Sequence, residues 1–207
     1  NRSGIAVSPS LEAVMNETLR IAGISGSLRS GSYNTAALNA AKRFMPEDVD
    51  FDIVTLEALP LFNEDVEAEG WPPEVRALRK RIESAQGVIF ATPEYNYSIP
   101  GVLKNAIDWL SRPERKGPIY GKPAAIIGAT PSMIGTARAQ AHLRQVVFYN
   151  AMPLLPSVEV LIARASEKFD SDGALTDQKT EEYLRKMASA FIDLVRNHLK
   201  HRSKHNG

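Results

Sequence analysis

The residues between 25 and 35 combine small hydroxyl side chains, glycine and one cation in a short turn. A helix begins with unpaired backbone N–H groups that carry partial positive charge, and such ends bind anions. We predict a terminal phosphate here rather than a pyrophosphate, because the three oxygens of a monoester converge on one group of donors. The alternative is an ordinary serine-rich turn with Asn34 or Thr35 as the helix N-cap. The candidate donors are Ser25, Ser27, Arg29, Ser30, Ser32, Asn34 and Thr35.

Two other phosphate-binding motifs do not occur in this turn. No Gly-Lys-Ser or Gly-Lys-Thr follows the glycines, and Gly-x-Gly-x-x-Gly is absent. Nucleotide triphosphatases and dinucleotide-binding domains need those patterns, so the sequence favours neither class.

A second stretch, residues 92–101 (TPEYNYSIPG), places two tyrosines and an asparagine between two prolines. The prolines restrict the backbone on both sides and hold the intervening groups in place. A rigid loop of this kind can lie against a flat heterocycle and hydrogen-bond its ring nitrogens and carbonyls. The alternative is a loop whose tyrosines pack on its own helix.

A third stretch, residues 128–138, brings Thr130, Ser132 and Gly135 to another loop. The two hydroxyls are candidate donors to a ring, and Gly135 would permit close approach of the backbone. For Arg138, an ion pair on a helix surface and an interface or substrate-anion contact are equally open.

Short apolar runs alternate with segments of helical period along most of the chain. This alternation predicts parallel βαβ units and an open α/β sandwich covered on both faces. Ligands bind such sheets beyond the carboxyl ends of the strands, which is where the three polar loops fall. The predicted strands are residues 19–24, 51–56, 88–92, 124–129 and 158–162, and the predicted helices are 35–44, 73–84, 101–110, 137–149 and 176–199.

The amino-acid composition excludes several classes of function. The 207 residues carry 25 Lys and Arg against 24 Asp and Glu, a net charge of +1. This balance argues against nucleic-acid binding by bulk charge and against an acidic electron carrier. Cysteine is absent, which excludes disulfides, thiol nucleophiles and iron–sulfur clusters. No apolar run reaches the roughly 18 residues of a membrane span, and the first 22 residues lack a secretory core, so we expect a cytoplasmic protein.

Three motifs together carry a family resemblance. They are GISGSLR (residues 23–29), TPEYNYSIPG (92–101) and LKNAIDWLSR (103–112). The sequence resembles the NADPH-dependent FMN reductase family, and within it the bacterial chromate and quinone reductases. The resemblance extends from residue 18 to about residue 199. It implies a flavodoxin-like fold with a five-stranded parallel sheet of order 2-1-3-4-5, one FMN per subunit, and homodimers that commonly pair into homotetramers.

The resemblance also implies roles for single residues. The FMN phosphate would be held by Ser25, Ser27, Arg29, Ser32, Asn34 and Thr35. The isoalloxazine ring and ribityl chain would be lined by Pro93, Glu94, Tyr95, Asn96 and Tyr97. One departure concerns the third loop, where the family often has Gly-Gly-Ala-Arg and then an aromatic residue. Here Gly135-Thr136-Ala137-Arg138 is followed by Ala141, which affects the substrate pocket and the subunit contacts.

The predicted activity is hydride transfer from NAD(P)H through FMN to a small-molecule acceptor. Quinones are the first candidates, and chromate, azo compounds and ferric compounds are further ones. Donor and acceptor would use one pocket in turn, giving ping-pong kinetics. The flavin carries the chemistry, so we expect no catalytic side chain. Two other classes stay open: a flavodoxin-type carrier without nicotinamide turnover, and an FMN-binding sensor.

The chain ends, the histidines near the C-terminus and the two tryptophans are the remaining features of the sequence. Residues 1–17 show no sustained periodicity and are expected to be disordered or a leader, residues 18–199 to form one domain, and residues 200–207 a basic tail. The histidines near that tail have no accompanying carboxylate, so we expect no metal site. Trp109 is expected in the core or at a dimer surface. Trp71 is a candidate interface anchor, or else it packs on the helix that follows.

Overall fold

Five parallel strands form one sheet in the order β2-β1-β3-β4-β5. The computed structural model describes residues 18–156 and 158–205. The strands are β1 (Leu19–Ser25), β2 (Val49–Val54), β3 (Gly87–Ala91), β4 (Ala124–Ala129) and β5 (Val160–Ile162). The helices are α1 (Tyr33–Lys42), α2 (Glu64–Glu69), α3 (Pro73–Ser84), α4 (Gly101–Leu110), α5 (Ala137–Tyr149) and α6 (Gln178–His205). The predicted flavodoxin-like fold and strand order are confirmed.

Alternate residues of the inner strands enter two separate cores, one on each face of the sheet. On one face Ile89 and Ile127 pack with helices α1 and α6. On the other face Phe90 and Ile126 pack with α3, α4 and α5. Because both faces are covered, β3 and β4 consist of apolar residues and glycine, and every residue of these two strands is buried.

The largest differences from the predicted boundaries lie at the edge strands and at two helix ends. Strand β2 runs from Val49 to Val54, two residues earlier than predicted, because its pairing with β1 fixes its limits. Strand β5 pairs only over Val160–Ile162. Helix α1 begins at Tyr33, since its N-cap is Ser32 and not Asn34 or Thr35. The Ser32 hydroxyl accepts the N–H groups of Asn34 and Thr35. Helix α6 continues to His205, because residues 200–205 contain no glycine or proline to stop it.

The long connection between β2 and α3 contains α2, which the sequence pattern did not predict. Six residues are too few to establish a helical period, although Asn63 caps α2 by accepting the N–H of Asp65. Two side chains of α4 anchor this connection. Asn105 accepts the N–H of Phe62 at 2.7 Å and donates to the Pro60 carbonyl at 2.9 Å, while Trp109 Nε1 donates to the same carbonyl at 2.9 Å.

Both tryptophans belong to this anchored connection. Trp109 is fully buried, as predicted, and Phe62 meets its ring edge-on with the centroids 4.9 Å apart. Trp71 is half-buried, and the guanidinium carbon of Arg79 lies 3.7 Å from its ring centroid. Trp71 therefore packs on the helix that follows it, the simpler of the two alternatives.

Helix α6 carries a half-buried histidine, His198, that we expect to make folding sensitive to acid. The Nε2 atom of His198 is buried without a hydrogen-bond partner among the described residues. Burial lowers the pKa of His198, and the positive charge of Arg202 lowers it further. The unfolded chain therefore binds this proton first as the pH falls, so stability drops once the pH passes below about 6.5, the ordinary histidine pKa.

We expect His198→Gln to flatten this acid dependence. Urea midpoints of the two proteins should differ by a constant amount between pH 8 and 9, and the gap should close or reverse below pH 6.5. Urea unfolding followed by circular dichroism at pH 5.5, 6.5, 8 and 9 measures it. A midpoint that falls equally in both proteins would assign the acid sensitivity to other groups.

Candidate functional site

The three polar loops meet at the carboxyl edge of the sheet, where β1, β3 and β4 are neighbours. The Gly26 N–H donates to the Ala91 carbonyl at 2.8 Å, which joins the first loop to the end of β3. The Glu94 carboxylate bonds to the first turn of α5, which joins the second loop to the third. The predicted convergence of these loops is therefore confirmed.

The first loop presents free donors at the start of α1. The N–H groups of Leu28, Ser30 and Gly31 donate to no atom of the described chain. The Ser25 and Thr35 hydroxyls bond to each other at 2.8 Å, and the Arg29 side chain is exposed. Three unpaired N–H groups, several hydroxyls and a cation beside a helix N-terminus are suited to a phosphate monoester.

Asn34 lies in the same loop but is occupied elsewhere. Its Nδ2 donates to the Ala129 carbonyl at 3.0 Å, and its Oδ1 accepts the Ala129 N–H at 2.9 Å. The side chain is buried, so both polar ends of the amide are used on the backbone of β4. Asn34 thus fixes α1 to the end of β4.

The second loop is built around a tight turn, Tyr95–Ser98, which we name the tyrosine turn. Its end residues exchange two backbone hydrogen bonds of 2.9 Å. The central residues Asn96 and Tyr97 have φ values of 50° and 66°, in the left-handed region that residues other than glycine rarely adopt. Their N–H groups are free within the described chain, and both tyrosine rings are exposed. The turn can therefore offer aromatic faces and backbone donors to a flat ligand.

Glu94 connects the tyrosine turn to helix α5. One carboxylate oxygen accepts the N–H groups of Arg138 and Ala139 at 3.0 and 3.2 Å, capping α5. The other accepts from the Arg138 guanidinium at 3.1 Å. The guanidinium carbon lies 3.8 Å from the Tyr97 ring centroid. Of the two alternatives for Arg138, the structure contains the ion pair, here with Glu94.

The third loop is shaped by close packing against the sheet. The Ser132 N–H bonds to the Thr130 hydroxyl at 3.3 Å, which folds the loop on itself. Gly135 has a φ of 64°, and a Cβ there would lie 2.9 Å from the Leu161 carbonyl carbon. At Gly128 a Cβ would lie 1.9 Å from the Thr136 hydroxyl. Both glycines are therefore required where the loop crosses β4 and β5.

Sequence reasoning missed a pair that also supports the tyrosine turn. The Ser98 hydroxyl and His142 Nδ1 lie 2.9 Å apart, joining the turn to α5. His142 follows Arg138 by four residues, so both lie on one face of α5. That spacing was the available signal, but only the fold brings Ser98 opposite this face.

These groups together suit a cofactor with a terminal phosphate and a flat ring, and FMN has both. The free N–H groups suit its phosphate, and the tyrosine turn on the neighbouring strand suits its ring. The described residues contain no cluster of three or more potential metal ligands. Within the described part of the chain, no helix is long and apolar enough to cross a membrane.

Comparison with known proteins agrees with this assignment. The family model of the NADPH-dependent FMN reductases matches residues 19–167. The NAD(P)H-dependent FMN reductase PA1204 of Pseudomonas aeruginosa is 48% identical over 182 residues, covering 88% of this chain and 98% of that protein. A quinone reductase of Escherichia coli K12 is 39% identical over 186 residues, covering 87% of this chain and 97% of that one.

A solved structure shares the fold closely. FerB, a flavoenzyme NAD(P)H:(acceptor) oxidoreductase from Paracoccus denitrificans, superposes with a TM-score of 0.79 at 36% identity. The match covers 87% of this chain and 98% of FerB. On the residues matched by the family model and the identity to these proteins, the chain belongs to the NADPH-dependent FMN reductase family.

Proposed function

We propose that this protein is an FMN-dependent NAD(P)H oxidoreductase that reduces quinones. The observation that carries the proposal is the group of free N–H donors at the start of α1, adjacent to the exposed tyrosine turn at the end of β3. Bound FMN supplies the redox chemistry, since it accepts hydride from a nicotinamide and passes the electrons to an acceptor. The family match and the curated relatives support this enzyme over a flavodoxin-type carrier.

The residues divide into those that contact the cofactor and those that position the contacts. The phosphate is assigned to Ser25, Ser27, Arg29, Ser32 and Thr35 together with the free N–H groups of the loop. The ring and ribityl chain are assigned to Pro93, Tyr95, Asn96 and Tyr97, with Thr130 and Ser132 on the opposite side. Asn34, Glu94 and Gly135 act by holding these loops, because their polar atoms or backbone are used within the protein.

Quinones are the proposed acceptors because relatives that are 39% to 48% identical are named quinone reductase or NAD(P)H-dependent FMN reductase. These relatives match this chain over almost their whole length. Donor and acceptor use the same exposed face in turn, so steady-state kinetics should follow a ping-pong pattern. Chromate, azo and ferric compounds are further candidates for the same site. Reaction with NAD(P)H, a metabolite of the cell interior, favours a cytoplasmic location.

We further propose that the protein forms a homodimer or homotetramer. The most exposed large apolar side chains of the described residues are Phe148 at 85%, Leu61 at 82%, Met133 at 76% and Tyr149 at 66%. Phe148 and Tyr149 both end α5, and an exposed aromatic pair is typical of a surface that another subunit covers. Sedimentation velocity of the wild type and of Phe148→Asp tests this. The variant should sediment as a smaller species, and an unchanged coefficient would place the interface elsewhere.

The decisive experiment is a visible absorption spectrum of the purified protein, reconstituted with FMN and recorded without oxygen. We expect flavin bands that bleach when NADPH is added and return when a quinone follows. Bands that persist with NADPH would indicate a carrier or a sensor. A protein that does not retain FMN would overturn the assignment of the cofactor.

A further inference from the structure

The ion pair of Glu94 and Arg138 packs against the exposed ring of Tyr97, and we call this ring and the exposed ring of Tyr95 the aromatic wall. The Glu94 side chain is only 9% exposed, yet it carries a negative charge at the carboxyl edge of the sheet. Burying a carboxylate is costly unless it is paired and hydrogen-bonded. Three hydrogen bonds, one of them from the Arg138 guanidinium, meet that cost, so the pair is a fixed element of the wall.

Arg138 remains 40% exposed and faces the side of the wall that carries Tyr97. A guanidinium stacked on an aromatic ring keeps donor groups free at its edge. Taken alone, it would attract anions to the space beside Tyr97. The carboxylate of Glu94, however, lies 3.1 Å from the same guanidinium and offsets much of its attraction for an anion.

The other groups that face this wall do not restore a positive charge. His142 lies one turn along α5 and shares a hydrogen bond with Ser98. Tyr95 and Tyr97 are phenols, and Asn96 is neutral. Arg144, further along α5, is paired with Glu159, the residue before β5, at 3.1 Å. The wall beside Tyr97 is thus aromatic and close to neutral.

We infer that Glu94 determines acceptor specificity: by pairing with Arg138 under Tyr97, it makes the acceptor side of the site select uncharged planar molecules over anionic ones. The inference rests on the proposed function, since it assumes that acceptors approach the tyrosine turn. Within the acceptors open to a reduced flavin, it favours neutral quinones over oxyanions such as chromate.

Glu94→Gln isolates the charge from the geometry. The amide oxygen can still accept the N–H groups that begin α5, while Arg138 loses its counter-charge. We expect the ratio of kcat/KM for 1,2-naphthoquinone-4-sulfonate to that for 1,4-naphthoquinone to rise about three- to tenfold, as for one charge at roughly 6 Å in a solvated site. The gain should disappear in 1 M salt, which a purely structural change would not do.

Binding without turnover gives an independent readout. The dissociation constant of naphthalene-2-sulfonate, an unreactive probe, should fall by a similar factor in the oxidised variant when followed by perturbation of the flavin spectrum. The matched control is Glu159→Gln, which frees Arg144 on the same helix away from the tyrosine turn. It should leave the specificity ratio unchanged. The double variant Glu94→Gln/Arg138→Gln should return the ratio to that of the wild type.

The outcomes separate the inference from the proposed function. If the wild type holds FMN and is bleached by NADPH, but Glu94→Gln leaves both the ratio and the probe affinity unchanged, this inference is wrong and the function stands. If the variant loses FMN or its folded circular dichroism, the probe and the ratio are measured instead on Arg138→Gln. That variant leaves the Glu94 carboxylate without its counter-charge, so its ratio at low salt should fall below that of the wild type and return towards it in 1 M salt, and an unchanged or higher ratio would overturn the inference. If the wild type binds no FMN, the proposed function itself fails.

Discussion

Trp109→Ala is expected to lower the free energy of unfolding by about 3–5 kcal/mol, the usual cost of deleting a buried aromatic side chain. Trp109 is fully buried, and its indole N–H holds the Pro60 carbonyl at 2.9 Å. The substitution opens a cavity, removes the edge-on contact with Phe62 and leaves that carbonyl with one donor fewer. Urea unfolding followed by circular dichroism measures the loss.

One further variant separates packing from hydrogen bonding at this position, and a second compares the neighbouring tryptophan. Trp109→Phe keeps most of the ring but removes the donor, so it should cost less than the alanine variant. Trp71→Ala removes the half-buried tryptophan covered by Arg79, and it should lower the free energy of unfolding by less than either Trp109 variant. A Trp109→Ala protein as stable as the wild type would mean that the connection between β2 and α3 can repack around the gap.

The second large effect is expected in cofactor affinity. Arg29→Ala should weaken FMN binding by about 10- to 100-fold, since a charge-assisted hydrogen bond to a phosphate contributes about 1.5–3 kcal/mol. Arg29 is exposed beside free N–H groups at the start of α1, so its removal should change affinity far more than stability. Quenching of flavin fluorescence during titration of the apoprotein measures the dissociation constant.

Arg20→Ala is the matched control for Arg29→Ala. Arg20 is an exposed arginine near the opposite end of β1, in an ion pair with Asp50 at 3.9 Å. Such surface pairs contribute little, so neither FMN affinity nor stability should change measurably. If Arg29→Ala and Arg20→Ala retain FMN equally well, the phosphate is held without Arg29.

The fold and the location of the site could be predicted because both depend on local patterns. Strand β4 and helices α3, α4 and α5 begin and end where expected, since each is strongly patterned and several are bounded by proline or glycine. The edge strands were less predictable. Their limits depend on pairing with a neighbour, and the apolar pattern of the strand itself does not contain that information.

The details of the site depend on contacts between residues far apart in sequence. Asn34 meets the backbone of Ala129 across 95 positions, and Glu94 meets Arg138 across 44. A single sequence shows that these residues can donate and accept, but it does not show to which atoms. The left-handed backbone conformation of Asn96 and Tyr97 was also unpredictable, because residues other than glycine rarely adopt it.

The direction of α6 has a practical consequence for attaching the protein to a surface. Its 28 residues extend about 42 Å, whereas the seven residues of β1 extend about 23 Å. Its later turns lie at the amino ends of the strands, where Arg196 pairs with Asp48 and Val195 packs beside Gly87. An anchor bonded to Lys200 would therefore hold the molecule with the carboxyl edge of the sheet facing the solution. An enzyme electrode or a flow reactor requires this orientation, because substrates reach the three polar loops from the solution.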